Sequence, residues 1–139
     1  MSSPPSPPEA PTLFLDRNLG KKIIPERLRP EGIQVEVHDD HLAIDAPDEE
    51  WIALVGKRNW VAITKDRNIL YRTGELDSVG KHSARVVVIR MKNATGPDMA
   101  DLLASARGRI ARFAEEVPAP FVAGLYRNRT LRKIWPGES

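Results

Sequence analysis

Short apolar runs alternate with helix-patterned segments along this chain, and that alternation restricts the fold more than any other feature. Thr12, Leu13, Phe14 and Leu15 form a run that ends at Asp16, as a strand buried on both faces would. Leu19, Ile23, Ile24 and Leu28 then recur at helical spacing, with Pro25 among them. Proline lacks a backbone donor, so a first helix broken at Pro25 is expected. Pro30, Glu31 and Gly32 stop it, and residues 33–37 alternate with period two as a strand. Residues 38–46 read as a loop. Pro47 suits the first position of a second helix, whose positive end favours Asp48, Glu49 and Glu50. Residues 60–64 are β-branched and aromatic enough to be a strand. A third helix is expected within residues 69–84, a strand at 85–90, the longest helix at 98–117, a strand at 120–127 and a returning hairpin arm at 129–135. This order predicts an α/β fold with a mainly parallel central sheet covered by helices on both faces.

The chain of 139 residues has room for one core. The folded domain is expected over residues 12–135. Residues 1–11, with five prolines and three serines, read as a disordered leader without the basic and apolar character of a secretion signal. Residues 136–139 read as a short tail. With 41% hydrophobic and 29% charged residues the composition is that of a soluble protein, and no apolar run approaches membrane-spanning length. The absence of cysteine excludes disulfides, thiolate zinc sites and thiol nucleophiles, and fits a cytoplasmic location.

Ligands in parallel sheets bind beyond the carboxyl ends of the strands. Asp16 and Asp66 each follow a strand-like run, and Asp48 opens a helix that precedes a strand, so all three are expected at one sheet edge. Crowded carboxylates repel one another unless a cation holds them. Magnesium and manganese take oxygen ligands and need only one to three carboxylates, and such ions support phosphodiester hydrolysis without a covalent nucleophile. Glu49 is a further or alternative ligand, and Asp45 is a reserve.

Each acid also has a plain structural reading. An aspartate after a strand is commonly a turn former or cap, and an acid after Pro47 is an ordinary helix start; only the joint placement points to chemistry. The cluster of His38, Asp39, Asp40 and His41 reads as a solvated loop rather than a zinc site, because adjacent loop residues rarely converge. Trp51 and Trp60 lie in apolar stripes and are expected in the core.

The 21 basic and 19 acidic residues nearly balance, but their placement is uneven. Seven basic residues against three acidic ones lie within residues 107–139. Arg107, Arg109 and Arg112 fit the wet face of an amphipathic helix. Arg127, Arg129, Arg132 and Lys133 are denser and would attract a polyanion.

Phe14, Leu15, Asp16, Arg17, Asn18, Leu19 and Gly20, followed by Asp48, Glu49, Glu50 and Trp51 and then by residues 60–66, resemble the PIN-like domain family of bacterial toxins of the VapC type. The resemblance extends over about residues 12–135. It implies a three-layer α/β/α fold, a Mg2+ or Mn2+ site built on Asp16, Asp48 with Glu49, and Asp66, and endoribonuclease activity. The partners it implies are an RNA substrate and a cognate antitoxin protein, with a homodimer left open and no membrane. A further acid that the family carries near the end of the next strand has no counterpart in residues 88–93. That gap keeps a non-cleaving PIN-like module for RNA or protein as the alternative. A phosphoacceptor receiver domain would need paired acids at the first site, and a haloacid-dehalogenase-type phosphatase an aspartate where Asn18 stands; Asn18 is held in reserve for the site.

Overall fold

The carboxyl ends of five parallel strands share one edge of a single sheet, and this fixes where chemistry can occur. The computed structural model describes residues 10–137. The strands are β1 (Leu13–Leu15), β2 (Val35–Val37), β3 (Val61–Thr64), β4 (Arg85–Arg90), β5 (Phe121–Tyr126) and β6 (Leu131–Trp135), in the spatial order β2-β1-β3-β4-β5-β6. All neighbouring pairs are parallel except β5 with β6. The helices are α1 (Ile23–Leu28), α2 (Asp48–Arg58), α3 (Thr73–Lys81) and α4 (Gly96–Glu116). The leader expected over residues 1–11 lies outside the described residues as far as residue 9, as do residues 138–139 of the tail.

Alternate side chains of each strand enter two separate cores. Leu13, Leu15, Val61, Ile63, Val87 and Ile89 pack with α1 and α4 on one face. Phe14, Ala62, Val86 and Val88 pack with α2 and α3 on the other. The result is the three-layer α/β/α arrangement that the run order implied. Trp51 is 2% exposed and Trp60 packs at the margin of the second core, with Phe14 stacked against both at 6.4 and 6.0 Å. Both tryptophans are therefore core residues, as expected. Among the described residues no helix is long and apolar enough to cross a membrane.

The first helix breaks at a different point from the one Pro25 suggested. A 3-10 turn at Arg17–Leu19 ends at Gly20, whose φ of 76° suits glycine, and α1 starts three residues later. Pro25 sits in the first turn of α1, where its missing N–H has no intrahelical acceptor to lose. Pro47 stands one position outside α2 rather than inside it, in an extended conformation with ψ 152°. The loop after β2 begins with a 3-10 turn at His38–Asp40; His38 is buried at 2% exposure, against the solvated position expected of it, whereas Asp39 and Asp40 are exposed.

The α4 helix opens with a reciprocal capping box. Asp98 N–H donates to Thr95 Oγ1 at 3.2 Å, and Thr95 N–H donates to an Asp98 carboxylate oxygen at 3.0 Å, so two orphan amides of the first turn are satisfied. Helices α2 and α3 touch at Gly56, where a Cβ would fall 2.1 Å from the carbonyl oxygen of His82.

Candidate active site

The chain leaves β1 for α1 on one face and then passes from β2 through α2, on the other face, to β3. Since β1 and β3 are neighbours, the direction of winding reverses between them. Such a reversal opens a crevice beyond the carboxyl ends of the two strands. Asp16 and Asp66 lie at those ends.

The Asp16 amide still belongs to the ladder, donating to the Ile63 carbonyl at 3.0 Å. Its carboxylate is 5% exposed and accepts from Thr64 Oγ1 at 2.9 Å and from Asn18 Nδ2 at 3.3 Å. Burial raises the Asp16 pKa; the Thr64 hydrogen bond opposes the rise, and the nearby charge of Asp48 adds to it. Asn18, held in reserve from the sequence, is thus in direct contact with Asp16.

Thr64 closes β3 with a hydroxyl that serves two acids at once, since it also accepts from the Asp66 amide at 3.1 Å. The Asp66 carboxylate accepts from the Asn68 amide at 3.0 Å, capping a 3-10 turn at Arg67–Leu70. The capping role weighed from sequence is therefore real. It engages one oxygen, and the other accepts from Arg72 Nη1 at 2.8 Å.

Asp48 is the first residue of α2, and its carboxylate accepts from Trp51 Nε1 at 3.0 Å. Burial works to raise its pKa, but a hydrogen bond shared with Glu75, the Trp51 donor and the charges of Arg17 and Arg72 together hold it below the ordinary value. Glu75 takes the opposite shift. Burial first, and then the hydrogen bond and negative charge of Asp48, push its pKa up to about 7. Two carboxyl groups that share one proton divide in this way.

Arg72 gathers these acids. Its Nη1 lies 2.8 Å from Asp66 Oδ2, 3.2 Å from Glu75 Oε2 and 3.9 Å from Asp48 Oδ2, and the contacts with Asp66 and Glu75 raise its own pKa. Three carboxylates from α2, the end of β3 and α3 already converge on one positive charge. Among the described residues, however, no three Asp, Glu or His side chains close on one point tightly enough to ligate an ion as they stand. The oxygens gathered round Arg72 are hard carboxylate donors, the kind that Mg2+ and Mn2+ take.

Sequence reasoning missed Glu75 and Arg72. The segment that carries them was legible only as mixed, and nothing local marks the third position of a nine-residue helix as facing Asp48. Two other residues considered from the sequence do not join the group. Glu49 is one helical position, about 100°, round from Asp48, and its 61% exposed side chain has His82 Nε2 at 3.9 Å. Asp45 is exposed and has no ion-pair partner among the described residues.

The basic residues expected to hold a polyanion lie on or beside the β5–β6 hairpin. Arg127 and Arg129 occupy its turn at the same sheet edge as the acids, with Arg127 Nη2 donating to the Lys92 carbonyl at 3.4 Å. Arg132 and Lys133, consecutive in β6, point to opposite faces. Arg132 joins Arg90, Tyr126 and Arg127 around a groove of about 480 Å³.

Comparison with known proteins agrees with this architecture. The family model described as a PIN like domain matches residues 11–91, more than half of the chain, so the chain belongs to the PIN-like domain family. A Mycobacterium tuberculosis protein named "Putative ribonuclease VapC45" is 27% identical over 126 residues, covering 88% of this chain and 91% of that protein. No solved structure matches.

Proposed function

We propose that this chain is a divalent-cation-dependent endoribonuclease, the toxin of a bacterial toxin–antitoxin pair, acting in the cytoplasm on RNA and restrained by a cognate antitoxin protein. The observation that carries this reading is the convergence of Asp48, Asp66 and Glu75 on Arg72, beside the buried Asp16, at the crevice between β1 and β3. Membership of the PIN-like family and the likeness to a protein named as a ribonuclease support it.

Asp16, Asp48 and Asp66 would hold Mg2+ or Mn2+, with Glu75 beside Asp48 as a fourth oxygen donor. Bound there, the ion would supply Lewis-acid polarisation of the phosphate and a lower pKa for the attacking water. The chain's own residues do the positioning. Thr64 fixes Asp16 through its hydroxyl and Asp66 through its amide. Trp51 orients Asp48. Glu75 can keep a proton up to about pH 7, which lowers the repulsion among the acids until that proton is displaced. Arg72 neutralises the cluster and must yield part of its hold on the acids when a cation enters.

The alternative, a PIN-like module that binds RNA or protein without cutting, is separated by one experiment. Purified protein is incubated with single-stranded and structured RNA in Mg2+, Mn2+ or chelator, beside Asp16→Asn and Asp66→Asn. Cleavage that needs the ion and disappears in both variants supports the nuclease. Equal cleavage in all preparations, or intact RNA with every ion, overturns it.

A further inference from the structure

A second groove runs along the carboxyl edge next to the acids, and its lining has a distinctive chemistry. It encloses about 580 Å³ between the ends of β3, β4 and β5, with Lys65, Arg67, Arg90 and Lys92 on its walls and no carboxylate among its lining residues. None of these four cations has an ion-pair partner among the described residues. Ile89 and Met99 lie beneath it, nearly buried at 3% and 4% exposure. Arg90 lies over the ring of Tyr126 at 6.0 Å.

Four like charges gathered without counter-charge repel one another, and a bound polyanion relieves that repulsion. An acidic protein would satisfy the cations but would not use the aromatic ring of Tyr126 at one end. A single polynucleotide strand uses both, because its phosphates take the cations while an unstacked base lies on the ring. The groove adjoins the one that contains Arg127 and Arg132, since Arg90 and Tyr126 line both. From β3 to β6 the track crosses three strand spacings, about 14 Å at roughly 4.8 Å each, which is enough for a few nucleotides.

We infer that this groove is the substrate track of the proposed nuclease: single-stranded RNA lies across the ends of β3, β4 and β5, its phosphates on Lys65, Arg67, Arg90 and Lys92 and one base stacked on Tyr126. The inference rests on the nuclease reading for its choice of polynucleotide. It differs from the sequence-based expectation, which placed substrate binding on Arg127, Arg129, Arg132 and Lys133 alone. Lys65 and Arg67 flank Asp66 in the chain, so the track leads directly to the proposed cutting site.

The test is binding of a fluorescently labelled single-stranded RNA by anisotropy, in chelator so that nothing is cut, across a salt series. Arg90→Gln/Lys92→Gln should weaken binding at least about tenfold and flatten the salt slope by roughly 1.4, or about 0.7 for each phosphate of a single strand that is no longer neutralised. Tyr126→Leu should weaken binding about tenfold without changing the slope, and Tyr126→Phe should restore it. Lys57→Gln/Arg112→Gln removes the same charge away from the carboxyl edge and should bind like wild type. Wild-type affinity and slope in Arg90→Gln/Lys92→Gln would overturn the assignment. So would equal weakening by the distant control pair, or competition by poly-glutamate as effective as by unlabelled RNA. If the groove variants bind normally while Asp16→Asn abolishes cleavage, the track is wrong and the nuclease stands. If they lose RNA although no ion supports cleavage, the track stands without the nuclease.

Discussion

The Thr64 hydroxyl donates to Asp16 Oδ2 at 2.9 Å, and so fastens the acid at the end of β1 to the last residue of β3. The same oxygen accepts from the Asp66 amide, and one buried side chain thereby sets the spacing of two proposed ligands. Thr64→Val keeps the shape and removes both bonds. The buried Asp16 carboxylate would keep only the longer bond from Asn18 and the Asp66 amide would lose its acceptor, which should cost about 2 kcal/mol. Urea unfolding in chelator checks this, and unchanged stability would mean that the hydroxyl does not organise the crevice.

Arg72 behaves as an internal cation. With Arg72→Gln, Asp48, Asp66 and Glu75 lose their shared positive charge, so the protein should melt earlier in chelator and gain more from added Mn2+ than wild type does. The gain reflects ligand linkage, since an ion that binds only the folded state stabilises it. Thermal unfolding with and without Mn2+ measures both. An unchanged Mn2+ response would show that the guanidinium does not compete for the ion's place.

Much of this was legible from the sequence. The strands at residues 85–90 and 60–64 and the long helix follow from period and burial, because a strand buried on both faces or a long amphipathic helix leaves a pattern within its own residues. Asp16 and Asp66 were visible for the same reason, each following an apolar run. Glu75, Arg72 and the cations at Arg90 and Lys92 were not, since their roles come from packing between elements. The approach of α3 to α2 at Gly56, for instance, brings Glu75 to Asp48 and has no local signature. Pro25 misled in a simpler way. Its effect depends on whether it falls in the first turn or later, and that boundary is set by Gly20 upstream.

Glu75 makes stability depend on pH. Its value near 4.5 in the unfolded chain rises to about 7 in the fold. Between those values the folded state holds a proton that the unfolded state has released, so stability falls as pH rises from about 4.5 to about 7. Glu75→Gln should flatten this part of the profile. Melting temperatures in chelator across that range test it, and an identical fall in the variant would assign the dependence to another group.

Gly56 and Gly108 should respond oppositely to alanine. At Gly56 the added carbon meets the His82 carbonyl oxygen at 2.1 Å, so α2 and α3 must separate, at a cost of about 2 kcal/mol. At Gly108, in α4, nothing lies within 4 Å of the added carbon, and alanine should stabilise by about 0.5–1 kcal/mol. Chemical denaturation of the two variants distinguishes them, and a neutral Gly56→Ala would mean that the helices do not approach as closely as described.

The proposed chemistry requires that acids distant in the chain share one divalent cation at the crevice between β1 and β3. Calorimetric titration of Mn2+ into wild type, Asp16→Asn, Asp48→Asn and Asp66→Asn tests it directly. Wild type should bind, and each variant should lose at least about tenfold in affinity, with the fold retained in all. Binding of Mn2+ by all three variants as tightly as by wild type, or no binding by wild type, would contradict it.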